Sequence, residues 1–216
     1  MVSRVTRVGD GVAGATVSVR RATARDARRL TRLVRGSRAY EGPYAPMIAG
    51  YRVGPDYIET HRVFVAVATG AVTAGSVTTG AVTAGAVTTG QAAGNAEADA
   101  ARTDERLLGF YALVLDPPEL DLMFVADTAQ GLGIGRRLVE HMTDEARGAG
   151  LDAVRVVSHP PAEGFYRSVG ARRTGTVAAN PPAVMWDRPE LEIPIPVVAV
   201  AVAVTDRGGS GGAPLS

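Results

Sequence analysis

Apolar residues recur along the chain at two different periods, and the alternation between those periods predicts its elements in turn. Thr16-Val-Ser-Val-Arg20 alternates every second residue and predicts a first strand, whereas Ala27, Leu30, Leu33 and Val34 fall at helical spacing behind Thr23-Ala-Arg-Asp26. Pro55-Asp-Tyr-Ile-Glu59 suits a short helix, because proline's fixed φ and missing N–H cost nothing in a first turn. Val63 to Ala68 and Leu107 to Leu115 are rich in β-branched and aromatic residues and predict central strands. Glu119-Leu-Asp-Leu-Met-Phe-Val125 is a further strand whose alternation puts Glu119, Asp121 and Met123 on one face and Leu120, Leu122 and Phe124 on the other. Arg137 to Ala146 returns to helical spacing, and Ala153 to Val157 to strand. Pro160 to Gly170 opens with prolines and closes with glycine, as a short helix does; Arg172 to Val177 and Leu191 to Ile195 are closing strands.

Three segments follow neither period. From Thr69 to Gly90 a five-residue unit repeats, with glycine at 70, 75, 80, 85 and 90, and a polar, Ala-rich stretch follows to Glu105. A period of five keeps no apolar face on either a strand or a helix, so residues 69–105 are expected to be a flexible expansion of a hairpin loop. Residues 1–15 read as a loose leader, and 196–216 as a strand-like run, Val197 to Val204, followed by a Gly-rich tail. One domain over 16–195 remains.

Composition narrows the chemistry. The chain has no cysteine, which excludes disulfides, thiolate nucleophiles and cysteine-based zinc sites, and no metal is expected. A net charge of +1 gives no global attraction to nucleic acid or membrane, although every basic side chain other than histidine is arginine. No apolar run reaches the roughly 18 residues of a membrane span, and the N-terminus lacks a secretory h-region, so a cytoplasmic location is expected.

The chemistry concentrates in Gln130-Gly131-Leu132-Gly133-Ile134-Gly135-Arg136, where three glycines at alternate positions lie between a strand and an amphipathic helix. Glycine lets backbone approach a ligand closely, and the free N–H groups of a helix's first turn, reinforced by the helix dipole, favour an anion. The dinucleotide fingerprint would need glycine where Arg136 stands, and a nucleotide P-loop would need Gly-Lys-Ser/Thr; neither fits. Gln/Arg-x-x-Gly-x-Gly/Ala does fit, as Gln130, Gly133 and Gly135.

On this loop, and on Ala162-Glu-Gly-Phe165-Tyr166-Arg-Ser-Val-Gly170-Ala171, which matches A-x-x-F/L-Y-x-x-x-G-F/A, the chain resembles the GCN5-related N-acetyltransferase (GNAT) family. The resemblance implies an α/β (α+β) domain whose mixed, mostly antiparallel sheet is flanked by helices and splayed between the fourth and fifth strands. It implies acetyl-CoA as co-substrate and acetyl transfer to a primary amine of a small molecule or peptide by direct nucleophilic attack. By the same resemblance, residues 130–136 hold the pyrophosphate, backbone groups of Phe124 and Val125 pair with the pantetheine arm, and Tyr166 protonates the departing thiolate. The alternative role for Tyr166 is an aromatic merely packed on the cleft.

The base is less defined. Glu119 corresponds to a strand glutamate of the histone-acetyltransferase branch. It and Asp121 are candidates as a crowded carboxylate pair, or else solvated residues at a strand start. His159 stands where many members carry asparagine, as a proton acceptor, a pantetheine partner or a plain loop residue. Arg35 to Tyr44, aromatic and arginine-rich, falls where the family shapes its acceptor site. A non-catalytic acyl-CoA-binding module is the competing expectation, and a homodimer through Val197 to Val204 is a further one.

Overall fold

The computed structural model describes residues 16–69 and 105–196. The leader, the body of the repeat insert and the C-terminal run, with the expectations attached to them, lie outside the described residues. Seven strands form one sheet: β1 (Thr16–Arg21), β2 (Arg62–Thr69), β3 (Arg106–Leu115), β4 (Pro118–Val125), β5 (Ala153–Val157), β6 (Arg172–Val177) and β7 (Arg188–Pro194). Their spatial order is β1-β2-β3-β4-β5-β7-β6, and every neighbouring pair is antiparallel except β4 with β5.

The central strands read as unbroken apolar runs because both faces of the sheet are covered. In β2, Val63, Val65 and Val67 pack on one side with Leu30 and Val34 of α1 (Ala27–Arg35), Ile48 of α2 (Ala45–Ala49) and Ile58 of α3 (Pro55–Thr60). Phe64, Ala66 and Ala68 point the other way, into a core with Leu138, Met142 and Ala146 of α4 (Ile134–Gly148) and Tyr166 of α5 (Glu163–Ser168). The helix after the glycine loop thus begins at Ile134, so Ile134, Gly135 and Arg136 form its first turn. Helix α2 is an element the periodicity did not predict; five residues with a proline give no measurable stripe.

Thr69 pairs with Thr16, and Ala68 with Arg106, so the insert joins two adjacent antiparallel strands. Its far end is pinned by charge: Arg20 donates to Glu105 at 2.8 Å and to Asp26 at 2.9 Å, and Arg29 donates to the Glu105 carbonyl at 2.7 Å.

One expectation about β4 fails. The β3–β4 register runs Phe110↔Phe124, Tyr111↔Met123, Ala112↔Leu122 and then Leu113↔Leu120, leaving Asp121 without an opposite number. This bulge inserts one residue and reverses the alternation. Leu120 therefore packs in the α4 core together with Met123 and Val125, while Leu122 and Phe124 pack in the α1 core. A period of two cannot reveal a position where the period is broken.

Candidate active site

Strands β4 and β5 meet at a single pair, Glu119↔Arg155, and separate from there toward their C-terminal ends. A cavity of about 660 Å³ opens in the gap. Glu119, Phe124, Val125, Gln130, Gly131, Gly133, Ile134, Gly135, Arg136 and Tyr166 all line it. Leu132 does not; it is half-buried against the α4 core and anchors the loop from beneath. Sequence positions spread over some fifty residues are thus gathered on one cleft because parallel strands that diverge leave space between them.

The loop has the conformation its glycines require. Gly131 and Gly133 sit at φ +76° and +75°, a left-handed region closed to most side chains. A Cβ at either would meet no atom within 4 Å, so open space, and not packing, lies over the loop. Gly133 caps α4: its carbonyl accepts from Arg137 N–H at 3.1 Å, which leaves the N–H groups of Ile134, Gly135 and Arg136 without helical partners at the positive end of a 15-residue helix. Gly135 answers a different need. A Cβ there would come within 3.0 Å of the Phe165 ring, so this glycine lets the two sequence motifs touch. Gln130 donates its amide to Asp127 at 3.2 Å, and Asp127 also accepts from the Arg38 backbone N–H at 3.3 Å, tying the loop to the segment after α1.

The exposed strand edge can be phased. Ala126 N–H bonds the Leu108 carbonyl at 2.8 Å, and backbone groups in an antiparallel pair alternate in direction. Phe124 therefore shares the direction of Ala126, toward β3, and its carbonyl lies 2.7 Å from where a Cβ on Gly109 would be. Val125 turns its N–H and C=O to the gap. Of the two residues expected to pair with the pantetheine arm, Val125 directs its backbone groups into the gap, and Phe124 directs its backbone to β3 and stacks its ring on Phe110 and Tyr40 with centroids 5.8 and 5.7 Å apart.

Tyr166 is 7% exposed, and no described residue hydrogen-bonds its hydroxyl. Burial, with Tyr40 adding to it, pushes its pKa above the ordinary phenol range, so the hydroxyl keeps its proton at any physiological pH. Each of the two candidate carboxylates has its own partner. Glu119 accepts from Arg155 Nη1 at 2.7 Å, while Arg155 Nε donates to Glu190 at 2.6 Å, binding β4, β5 and β7 across the head of the gap. Asp121, the bulged residue, accepts from the Tyr57 hydroxyl.

His159 is not a bystander. It is 8% exposed and sits in a wall of rings: Tyr40 stacks on it at 4.4 Å, Tyr44 meets it edge-on at 4.2 Å, and Trp186 lies edge-on to Tyr44 at 4.4 Å. Burial pulls its pKa below the ordinary 6.5, so the imidazole is neutral near pH 7. Tyr40 and Tyr44 fall within the stretch singled out from sequence; Tyr40 lines the cavity, as do Trp186 and Arg188, which the sequence does not mark. They follow Asn180-Pro-Pro in a region without periodicity, and only the fold brings them beside His159.

Residues 76–180 match the model of the acetyltransferase (GNAT) domain. The fold agrees: a GCN5-related N-acetyltransferase from Rhodopseudomonas palustris superposes with a TM-score of 0.57 at 12% identity, covering 82% of this chain and 94% of that one. The protein yncA of Salmonella typhimurium, solved with its cofactor acetyl-CoA, superposes with a TM-score of 0.53 at 16% identity, covering 87% of this chain and 98% of that one. In sequence, an IAA acetyltransferase of Azospirillum brasilense is 45% identical over 58 residues, 25% of this chain, and the match spans 38% of that relative's length. Residues 76–180 thus match a GNAT acetyltransferase domain, and the single mixed sheet with its β4–β5 gap shares the fold of those neighbours. Among the described residues no helix is long and apolar enough to cross a membrane.

Proposed function

We propose that the protein binds acetyl-CoA and transfers its acetyl group to a primary amine by direct attack, without a covalent enzyme intermediate. The observation that carries this reading is the convergence of three fittings on one cavity: the glycine-turned N-terminus of α4, the free backbone edge at Val125 and the buried hydroxyl of Tyr166. Their order matches an elongated guest that is phosphorylated at one end and reactive at the other. The N–H groups of residues 134–136 receive the pyrophosphate, and Arg136 adds a positive charge there. The Val125 edge receives the pantetheine amides as if a strand were added to β4. The bound thioester supplies an activated acyl carbon.

The remaining work falls to this chain's side chains. Tyr166, held protonated by burial, donates to the sulfur as it leaves as thiolate. The acceptor must lose a proton before it attacks, and Glu119 is the candidate to take it through water, oriented by Arg155. Asp121 is held by Tyr57, and His159 is neutral and ring-packed; each is a weaker candidate, His159 as a group that shapes the acceptor's place. Titration calorimetry with acetyl-CoA, followed by thiol release in the presence of an amine panel, tests the reading. Binding with amine-dependent thiol release supports transfer; binding without release under any amine leaves an acyl-CoA-binding module; no binding defeats both.

A further inference from the structure

Three side-chain nitrogens among the described residues are buried without a hydrogen-bond partner: His159 Nε2, Trp186 Nε1 and Arg188 Nε. All three residues line the one cavity already described, and they are neighbours. Ser158 N–H donates to the Pro189 carbonyl at 2.9 Å, and β5 pairs Val157 with Glu190, which seats Arg188 and Trp186 beside His159. Indole and guanidinium nitrogens can only donate, and the imidazole Nε2 donates in one of its two tautomers. No described residue forms an ion pair with Arg188. The other charged groups facing this part of the cavity are engaged: Glu119 with Arg155, and Asp121 with Tyr57.

Buried donors gathered without acceptors are costly unless a guest brings the acceptors. A guanidinium in the group asks for a negative one, since its planar fork matches a carboxylate. The pyrophosphate is not that guest, because it has its own donors at the N-terminus of α4. Around the three nitrogens the cavity surface is aromatic, formed by Tyr40, stacked on His159, and by Trp186, with Tyr44 meeting both His159 and Trp186 edge-on, and it offers ring faces and edges to a planar group.

We infer that the acyl acceptor is a primary amine bearing both an aromatic ring and a carboxylate, the ring lying against Tyr40 and Trp186 and the carboxylate accepting from the Arg188 guanidinium. The inference rests on the acetyl-transfer reading for the guest's role as acceptor, though not for the binding of the carboxylate. In the transfer, the amine nitrogen forms an amide bond to the acyl carbon as the carbon–sulfur bond breaks. The sulfur leaves with its electron pair and takes up a proton, the amine gives one up, and the carboxylate is unchanged.

Trp186 is the sole tryptophan, so its fluorescence reports on this wall whether or not turnover occurs. Titration of the full-length protein with 3-phenylpropionate is expected to shift that fluorescence with a Kd at least about 10-fold below that for 3-phenylpropanamide, as a charge-assisted pair demands. Arg188→Gln is expected to abolish the preference and Arg188→Lys to restore part of it, with the calorimetric Kd for acetyl-CoA within about twofold of the parent to show that the fold is kept. In the thiol-release assay, phenylalanine should exceed phenethylamine, phenylalaninamide and leucine. Equal binding of the acid and the amide, or a preference that survives Arg188→Gln, overturns the inference. A protein that binds 3-phenylpropionate but not acetyl-CoA upholds the subsite and defeats the transfer reading, whereas acetyl-CoA binding without carboxylate preference does the reverse.

Discussion

The two halves of the cleft are built by different means. The half proposed for the cofactor consists of backbone: two left-handed glycines, the first turn of α4 and the turned-out edge at Val125. The half proposed for the acceptor consists of side chains from four separate segments, with Tyr40 after α1, Glu119 and Asp121 on β4, His159 after β5, and Trp186 and Arg188 before and on β7. Backbone recognition is set by local conformation and is specific for a guest that does not vary. Side-chain recognition is set by tertiary placement and can be changed one residue at a time without disturbing the sheet.

The largest expected effect separates the halves most sharply. Gly133→Val forces a β-branched residue into φ +75°, and acetyl-CoA affinity measured by calorimetry should fall by about 100-fold or more, since the loop must relax out of its anion-binding shape. Fluorescence of Trp186 on binding 3-phenylpropionate should be retained; its loss would mean that the halves are not independent. Tyr166→Phe, at the junction, should lower kcat by about 10- to 100-fold while the acetyl-CoA Kd stays within about twofold, as removal of a general acid requires. Equal turnover in the variant and the parent would take Tyr166 out of the chemistry.

How far each half could be read in advance follows the same division. Residues 130–136 announced themselves because left-handed turns accept few residues other than glycine, so conformation leaves a local mark on the sequence. The strands and main helices were legible from their periods, β5 and β6 to the residue. The Asp121 bulge was not, and it misassigned the faces of Leu120 and Met123. Trp186 and Arg188 were invisible because nothing in their own segment marks them; their significance arises only when β7 is laid beside β5. His159 was noticed for departing from the family pattern, yet its ring-packed environment is contributed by residues about 27 to 119 positions away, beyond the reach of any local pattern.

Smaller effects refine the acceptor half. Glu119→Gln should reduce kcat by about 10-fold if the carboxylate relays the amine proton, and should change stability by less than about 1 kcal/mol, because the partner Arg155 is half-exposed and retains Glu190. A stability loss with unchanged kcat would assign the pair to the architecture alone. The smallest effect concerns pH. Burial lowers the pKa of both His159 and His141, so from about pH 7 downward through 6.5 the unfolded chain takes up protons that the folded one refuses, and stability falls with acidification. His159→Asn should flatten the fall in Tm between pH 7.5 and 5.5, leaving the part due to His141, whose Nδ1 is bonded to the Tyr111 hydroxyl at 2.8 Å. An unchanged slope would place the titration elsewhere.

The pinning of Thr69 and Glu105 has an evolutionary consequence. Since β2 and β3 are paired up to Ala68 and Arg106, and Arg20 and Arg29 hold Glu105, the sheet constrains only the ends of the segment that joins them. Replacing residues 70–104 by a turn of a few residues would change the loop-closure term by about 2 kcal/mol, in the favourable direction. Repeats of the five-residue unit can be gained or lost by replication slippage at almost no cost to the fold, which makes this hairpin the position where the gene is free to drift in length.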